Sequence, residues 1–455
     1  MVNSQDTICA LATPNGVGAI AIIRLSGSKS KSILKVCFSK DLENAVSHTC
    51  HFGNFLSLQK ELIDEVLVTV FDQGKSFTGE ESVEISCHAS PFIQKRILET
   101  LLNSGARIAE PGEFTMRAFA NGKMDLSQAE AVADLIASQS RNAHNIALKQ
   151  LKGGFSNELK DLREKLIHFA SLVELELDFA EEDVEFADRK ELNQLVSAVL
   201  LYIERLAKSF ELGNAIKNGV PVAIVGAPNT GKSTLLNQLL GEDRAIVSDI
   251  AGTTRDVIEE ELTIDGIQFR LIDTAGIREN AETIEAMGIE RSRAKIIQAS
   301  IVFCMADNSI PSNAAEVLKW ASEIIANHPE KKVVLVINKY DISQKTIEKS
   351  DINTVYISAK EGIGLEELKA KLVELVVADF DIVNETIVSN VRHYDALIKT
   401  KSDLEKAKFA LETNVTADFV ALDLRQAMYH LGTITGQITE DDLLANIFAK
   451  FCIGK

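Results

Sequence analysis

The sequence predicts a multidomain α/β plus α protein: an N-terminal α+β domain, a helical domain, and an α/β phosphate-loop domain inserted into the helical one. Three observations carry this. Gly226-Ala-Pro-Asn-Thr-Gly231-Lys232-Ser233 fits GxxxxGK[ST], directly after the apolar run 222–225 and before the helical stretch 234–240. Apolar residues recur every three or four positions over about 125–213, and helical texture returns after about 381. The opening of the chain instead mixes short β-like runs with glycine breaks. The expected domains are 1–120, 121–215 and 216–379, with 380–455 as the second part of the helical domain.

Composition sets the frame. The 455 residues allow about three domains of roughly 150 each, enough to bury a core without disulfides or a structural metal. A formal charge of −18 excludes a surface coated with positive charge for non-specific nucleic-acid binding and leaves room for a local basic groove. DNA is not an expected partner. The six cysteines form no CxxC pair. Cys50-His51 and Cys87-His88 are adjacent, and neighbours on a strand point to opposite faces, so each pair is a poor chelate. Buried cysteines in a reducing compartment are expected. The N-terminus lacks a basic segment and is broken by Pro14 and Gly16, so it does not read as a signal peptide. No apolar run approaches the roughly 18–20 residues of a membrane span. The expected location is cytoplasmic.

In chain order, 19–25, 65–71 and 82–87 read as strands and 92–102 as a helix. Leu159, Leu162, Leu166, Phe169 and Val173 give one apolar helical stripe. The acidic cluster from Glu174 to Glu185 reads as a solvated face. Runs 221–225, 301–305 and 333–337 read as buried strands. Runs 260–264 and 267–272 flank Asp265-Gly266, a two-residue hairpin signal, so the sheet should be parallel with one antiparallel edge. Beyond it, Leu397, Leu404 and Leu411 recur every seven residues, and 419–431 is amphipathic. Helical patterns on both sides of an α/β block suggest an insertion, which is cheap because domain termini tend to lie close together. Two separate helical bundles are the alternative.

The chemistry sits in four motifs that follow strands in order. In the phosphate loop, backbone N–H groups and a helix N-terminus suit phosphate, Lys232 can reach the β- and γ-phosphates, and Ser233 can ligate Mg2+. Asp273-Thr274-Ala275-Gly276 offers an aspartate for Mg2+ through water and an N–H for the γ-phosphate. The carboxylate of Asn338-Lys339-Tyr340-Asp341 can accept both N1–H and N2–H of guanine, a donor pair adenine lacks. Ser358-Ala359-Lys360 closes the base pocket. Each motif ends a strand at the edge where open α/β sheets bind ligands, so the nucleotide read is GTP. Within Gly252-Thr253-Thr254-Arg255-Asp256, Thr254 is the expected second Mg2+ ligand of a switch loop. Ile277 stands where some GTPases carry a water-orienting glutamine, and an aliphatic side chain cannot do that work. Arg255, Arg278 and Arg291 are nearby candidates for an arginine finger. The carbonyl oxygen of Asn229 offers another source of positive charge, by holding a monovalent cation beside the phosphates.

At this point the sequence closely resembles the MnmE (TrmE) family of bacterial tRNA-modification GTPases. The resemblance runs through the whole chain: DTICALATPNGVGAIAIIRLSG, SFTGEESVEI, EPGEFTMRAFANGKMDLSQAEAVADLI, LELDFAEEDVEF, the GTPase motifs, and the closing ITEDDLLANIFAKFCIGK. It implies a tetrahydrofolate-binding N-terminal domain, a helical domain and an inserted Ras-like GTPase domain. It implies a homodimer formed through the N-terminal domains, and a heterotetramer with MnmG, a flavoprotein using FAD and NADH. The pair would install aminomethyl or carboxymethylaminomethyl groups at C5 of the wobble uridine of certain tRNAs. The one-carbon unit would come from a folate of the 5-formyl- or methylene-tetrahydrofolate type. GTP hydrolysis would depend on K+ and accompany G-domain association.

Site residues carry over where the motifs match. K+ would be surrounded by Asn229, Ser248, Ile250 and Thr253. Mg2+ would be held by Ser233 and Thr254. Glu285 would orient the attacking water, with Lys232 and Asn229 also catalytic. The GTP contacts would be Asn229, Thr230, Gly231, Lys232, Ser233 and Thr234, then Ser248, Asp249, Ile250, Ala251, Gly252, Thr253 and Thr254. They continue with Asp273, Thr274, Ala275 and Gly276, then Asn338, Lys339, Asp341, Ser358, Ala359 and Lys360. Folate would be held by Arg24, Glu84, Lys123 and Lys455. Two features bear on this. The family often reads CHGG where this chain has Cys87-His88-Ala89-Ser90, and Cys452 matches the family's terminal cysteine. The competing reading is an Era- or Der-type switch in ribosome assembly. A single phosphate loop and the lack of a KH-like GxxG segment count against it. A folate-binding dimer with a vestigial GTPase is a third reading, opposed by the intact Lys232, Ser233, Asp273 and Asp341.

Overall fold

The computed structural model describes residues 6–178, 189–242, 260–272, 295–344, 351–377, 385–413, 417–438, 441–449, 451 and 454. The first domain is built from β1 (Ile8–Leu11), β2 (Ile20–Ser26), α1 (Ser30–Cys37), β3 (Thr49–Leu56), β4 (Leu62–Phe71), β5 (Ser82–His88), α2 (Pro91–Asn103), β6 (Arg107–Ile108) and α3 (Glu113–Ala120). Helices follow: α4 (Leu126–Ala137), α5 (Arg141–Leu151), α6 (Gly154–Asp178) and α7 (Arg189–Asn218). The α/β block holds β7 (Val220–Gly226), α8 (Lys232–Glu242), β8 (Glu260–Ile264), β9 (Ile267–Leu271), β10 (Ile301–Asp307), α9 (Pro311–Asn327), β11 (Lys332–Asn338), β12 (Asn353–Tyr356) and α10 (Leu365–Val377). The chain closes with α11 (Val391–Glu412), α12 (Ala417–Thr435) and α13 (Asp441–Phe448). It divides into two compact units: Met1–Ile136, Lys149–Asn193 and Lys406–Lys455, and Ala137–Leu148 with Gln194–Glu405.

In the first unit, six strands pair in the order β3-β4-β5-β2-β1-β6. Alternation sorts their side chains. Ile23, Leu25, Val66, Val68, Val83 and Ile85 turn to one face and bury there with Ile33, Leu34, Ile97 and Leu101 of α1 and α2. The opposite face carries Arg24 and Glu84, with Phe52, Leu67 and Ile20 exposed. Sequence periodicity misses β1, β3, β6, α1 and α3. Strand β3 carries polar residues and Gly53, so its alternation is broken. Gly53 is needed there because a Cβ would strike the Phe38 ring and Ser39. Cys9, Cys37, Cys87 and Cys304 are buried as expected, whereas Cys50 is exposed on β3. Burial pushes the Cys9 thiol up to about 12.

The helical stripe behaves as its spacing requires. Leu159, Leu166 and Val173 are buried and Leu162 and Phe169 half-buried. Helix α6 packs against α12, where Val420, Leu424, Ala427 and Leu431 are buried, and Arg163 Nε donates to the Met428 carbonyl at 3.3 Å. Segments on either side of the α/β block therefore form one helical assembly. In the second unit, α7 and α11 meet through the stacked rings of Phe210 and Tyr394, centroids 4.4 Å apart, and the Lys401–Glu204 ion pair at 3.0 Å. Within the same unit the Val388 N–H donates to Ser209 Oγ at 3.0 Å, so the segments just before and just after the α/β block run side by side, the geometry of an insertion.

The inserted sheet has the order β12-β11-β10-β7-β9-β8. All pairs are parallel except β8–β9, the antiparallel edge. Ile264 pairs with Ile267 across Asp265 (φ 49°) and Gly266 (φ 76°), the doubly left-handed turn the sequence signal demands. Both faces of the central strands are covered, and every residue of β10 is buried. Among the described residues, no helix is long and apolar enough to cross a membrane.

Candidate functional site

The carboxyl ends of β7, β11 and β12 bring three of the predicted motifs together. Strand β7 delivers the phosphate loop. Asn229 is exposed in a left-handed conformation (φ 62°), and Thr230 is buried with its hydroxyl donating to the Ala227 carbonyl at 2.9 Å. Gly231 (φ 96°) has no room for a side chain, because a Cβ would collide with Nδ2 of Asn338. Lys232 opens α8, and its Nζ donates to the carbonyls of Gly226 and Ala227 at 3.0 and 2.7 Å. Burial and the nearby Lys295 push its ammonium below the usual lysine range, so phosphate charge there would be favourably met. Ser233 and Thr234 are exposed on the first turn of the same helix.

Asn338 organises the site from its centre. It is buried, its Nδ2 donates to the Thr230 carbonyl at 2.8 Å, and its Oδ1 accepts the Ala359 N–H at 2.9 Å. One side chain thus ties the phosphate loop to the Ser358-Ala359-Lys360 loop. Ser358 and Ala359 are buried, and Lys360 and Asp341 are exposed. Lys339 is left-handed (φ 64°) and forms an ion pair with Asp307 at the end of β10. Sequence reasoning missed Asp307. Its signal was its place, an aspartate at the carboxyl end of a buried parallel strand.

The predicted residues Ser248, Asp249, Ile250, Ala251, Gly252, Thr253, Thr254, Asp273, Thr274, Ala275, Gly276 and Glu285 lie outside the described residues. So do Arg255, Ile277, Arg278, Arg291, Cys452 and Lys455.

On the open face of the first sheet, Arg24 and Glu84 are direct cross-strand partners. Arg24 Nε and its Nη2 amine both converge on Oε1 of Glu84, at 2.9 and 2.8 Å. Oε2 takes no hydrogen bond among the described residues. The Arg24 guanidinium also lies 5.5 and 5.7 Å from the ring centroids of Phe77 and Phe114. A half-buried carboxylate with a free oxygen, beside aromatic rings, suits a flat heterocycle bearing N–H groups. Lys123 Nζ donates to the Gly74 carbonyl at 3.0 Å. Beneath, and invisible to sequence reasoning, lies a charge network. Arg117, 1% exposed, pairs with Asp6 at 2.6 Å, Glu113 at 2.9 Å and Glu80 at 3.2 Å. Arg107 pairs with Asp6 and Glu113 at 2.8 and 2.6 Å. Among the described residues, no group of three or more His, Cys, Asp or Glu side chains is placed to hold a metal ion.

A parallel sheet with one antiparallel edge, a phosphate loop on its first strand and an asparagine joining that loop to the base loops define a P-loop GTPase domain. The sequence family described as GTP-binding protein TrmE N-terminus matches residues 7–123, and the MnmE helical domain matches residues 126–452. The chain is 52% identical to the tRNA modification GTPase MnmE of Flavobacterium johnsoniae, covering 100% of both chains. It is 52% identical to that of Cytophaga hutchinsonii, over 100% of this chain and 99% of the relative. The Bacteroides fragilis protein of the same name is 48% identical over 99% of this chain and 100% of its own. Among solved structures, the G domain of the T. maritima FeoB iron transporter is 30% identical over 34% of this chain, with a TM-score of 0.26. The chain belongs to the MnmE family.

Proposed function

We propose that this chain hydrolyses GTP and, with the flavoprotein MnmG, adds an aminomethyl or carboxymethylaminomethyl group to C5 of the wobble uridine of certain tRNAs. The observation that carries this reading is similarity over the full length to tRNA modification GTPases. It reaches beyond the nucleotide motifs that other GTPases share. The domain limits 1–120, 121–215, 216–379 and 380–455 belong to the same proposal, as do a homodimer, a heterotetramer with MnmG and a cytoplasmic location.

Three bound groups are proposed. Mg2+ would be held by Ser233 and Thr254, and the exposed hydroxyl-bearing first turn of α8 suits it. K+ would be held by Asn229, Ser248, Ile250 and Thr253. The exposed left-handed Asn229 supports this, since its amide oxygen is a hard donor of the kind such an ion takes. It would supply positive charge to the phosphates as they separate. The folate would be held by Arg24, Glu84, Lys123 and Lys455, and it would supply the one-carbon unit. The free Oε2 of Glu84 is the acceptor that supports the assignment. In the GTPase site, Lys232 would neutralise phosphate oxygens, Asp341 would read the guanine N–H pair and Glu285 would orient water.

The test is nucleoside analysis of tRNA from a strain lacking this protein. The wobble modification should be missing and should return with the wild-type gene but not with Lys232→Ala. An unchanged nucleoside profile rejects the proposal. Comparing GTP turnover in KCl and NaCl tests the cation: equal rates reject K+ dependence.

A further inference from the structure

Asp307 ends β10 and lies directly opposite Asn338, which ends the neighbouring parallel strand β11. The following residue, Lys339, takes a left-handed turn (φ 64°) and sends its ammonium back across the strand gap to Asp307 Oδ2. Asp307 is 4% exposed. Its Oδ1 accepts the Ser309 N–H and hydroxyl at 2.9 and 2.5 Å, and its own N–H donates to Asn313 Oδ1 at 2.8 Å. The adjoining Asn308 N–H donates to the Asn338 carbonyl at 2.9 Å. The carboxylate is therefore fixed before any ligand arrives, and so is the far end of the lysine side chain. That side chain stays 31% exposed, which leaves part of it open to a ligand.

We propose that Asp307 is a positioning residue for the guanine nucleotide, acting through Lys339. The four-carbon stem of Lys339 runs from the end of β11 to Asp307, within the motif that opens with the Asn338 hub and closes with Asp341. Anchored at both ends, it forms a fixed apolar strip for the plane of the base, with its charge turned away. A free lysine would have to be ordered at the moment of binding, and that ordering would weaken the complex. Because the pair is largely buried, added salt should screen it little.

The inference rests on the guanine-nucleotide reading and is tested separately from it. Dissociation of a fluorescent GDP analogue from the full-length chain is timed for the wild type, Asp307→Asn, Lys339→Ala and the double variant. Asp307→Asn should speed release by about threefold to tenfold, the size expected for ordering one long side chain. In the Lys339→Ala background, the same change should have almost no further effect. Additive effects, or release from Asp307→Asn at the wild-type rate, overturn the proposal. Ser309→Ala, which loosens the carboxylate without touching the ion pair, should speed release in the same direction by a smaller factor, and unchanged release counts against the proposal even if Asp307→Asn does not fold. A wild-type chain that binds no guanine nucleotide would overturn the functional reading itself.

Discussion

The side-chain amide of Asn338 donates to the carbonyl of Thr230, 108 residues earlier in the chain, at 2.8 Å. Its oxygen accepts from Ala359 at 2.9 Å, so three separated motifs share one buried group. Such a hub should matter to folding before it matters to binding.

Asn338→Ala leaves the Thr230 carbonyl and the Ala359 N–H buried without their partner. At about 1–3 kcal/mol for each of the two orphaned groups, a loss of roughly 2–6 kcal/mol is expected. Denaturant unfolding of the purified variant measures it. Asn338→Asp should be no rescue, because a carboxylate facing the Thr230 carbonyl repels where the amide donated. Wild-type stability in both variants would mean the hub is dispensable.

Arg117 is the corresponding hub of the first domain, where a cation 1% exposed faces Asp6, Glu80 and Glu113. Arg117→Met keeps much of the volume and removes the charge, taking the cation from Glu80 and leaving Asp6 and Glu113 with Arg107 alone. Breaking a buried pair from one side costs about 3–5 kcal/mol, which should show as an early unfolding step of this domain. Removing the charge on an exposed residue such as Lys95 should change stability by less than about 0.5 kcal/mol.

The same network sets an acid limit. Burial alone would raise the carboxyls of Asp6 and Glu113, but hydrogen bonds from Arg107 and Arg117 outweigh it and hold both below their ordinary values. Groups lowered on folding stabilise the protein above their unfolded values of about 3.9 and 4.3, and that contribution is lost as pH falls through the folded values. Stability between pH 7 and 5 should therefore be nearly flat in this respect and should fall below about pH 4. In Arg117→Met both carboxyls are held down less, so the acid fall should set in at the same pH and be shallower. Tm measured against pH separates the two curves, and identical curves would deny the network its role.

What could be read from the sequence followed the reach of each signal. The hairpin at Asp265-Gly266, the strand of the phosphate loop and the helical stripe through Leu159, Leu166 and Val173 are local patterns, and local backbone geometry enforces them. The bodies of β10 and β11 were also legible, because buried parallel strands are continuous apolar runs, though the run read for β10 stops two residues short of Asp307. Asp307 and Arg117 were not, since a charge shows its partner only after distant strands and helices have met. Arg117 lies 111 residues from Asp6. Cys50 fails for a related reason: cysteine is usually buried, but β3 turns this one to the open face of the sheet.

The pair Arg24 and Glu84 allows the folate assignment to be tested without disturbing the GTPase chemistry. Both sit on the sheet face opposite the packed core, so Glu84→Ala removes an acceptor while Val83 and Ile85 keep their burial. Phe77 and Phe114 remain beside the guanidinium, so Arg24 should stay in place when its partner is lost. If Glu84 Oε2 accepts N–H groups of the pterin, Glu84→Ala should weaken 5-formyltetrahydrofolate binding by about 10- to 100-fold, the range of hydrogen bonds to a charged group. Glu84→Gln should fall between the two, because its amide presents one acceptor and one unwanted donor. GTP affinity should stay at the wild-type value in both variants. Calorimetric titration with the folate decides the matter: unaltered affinity in Glu84→Ala would leave the Arg24–Glu84 pair as a strand clamp and place the folate elsewhere.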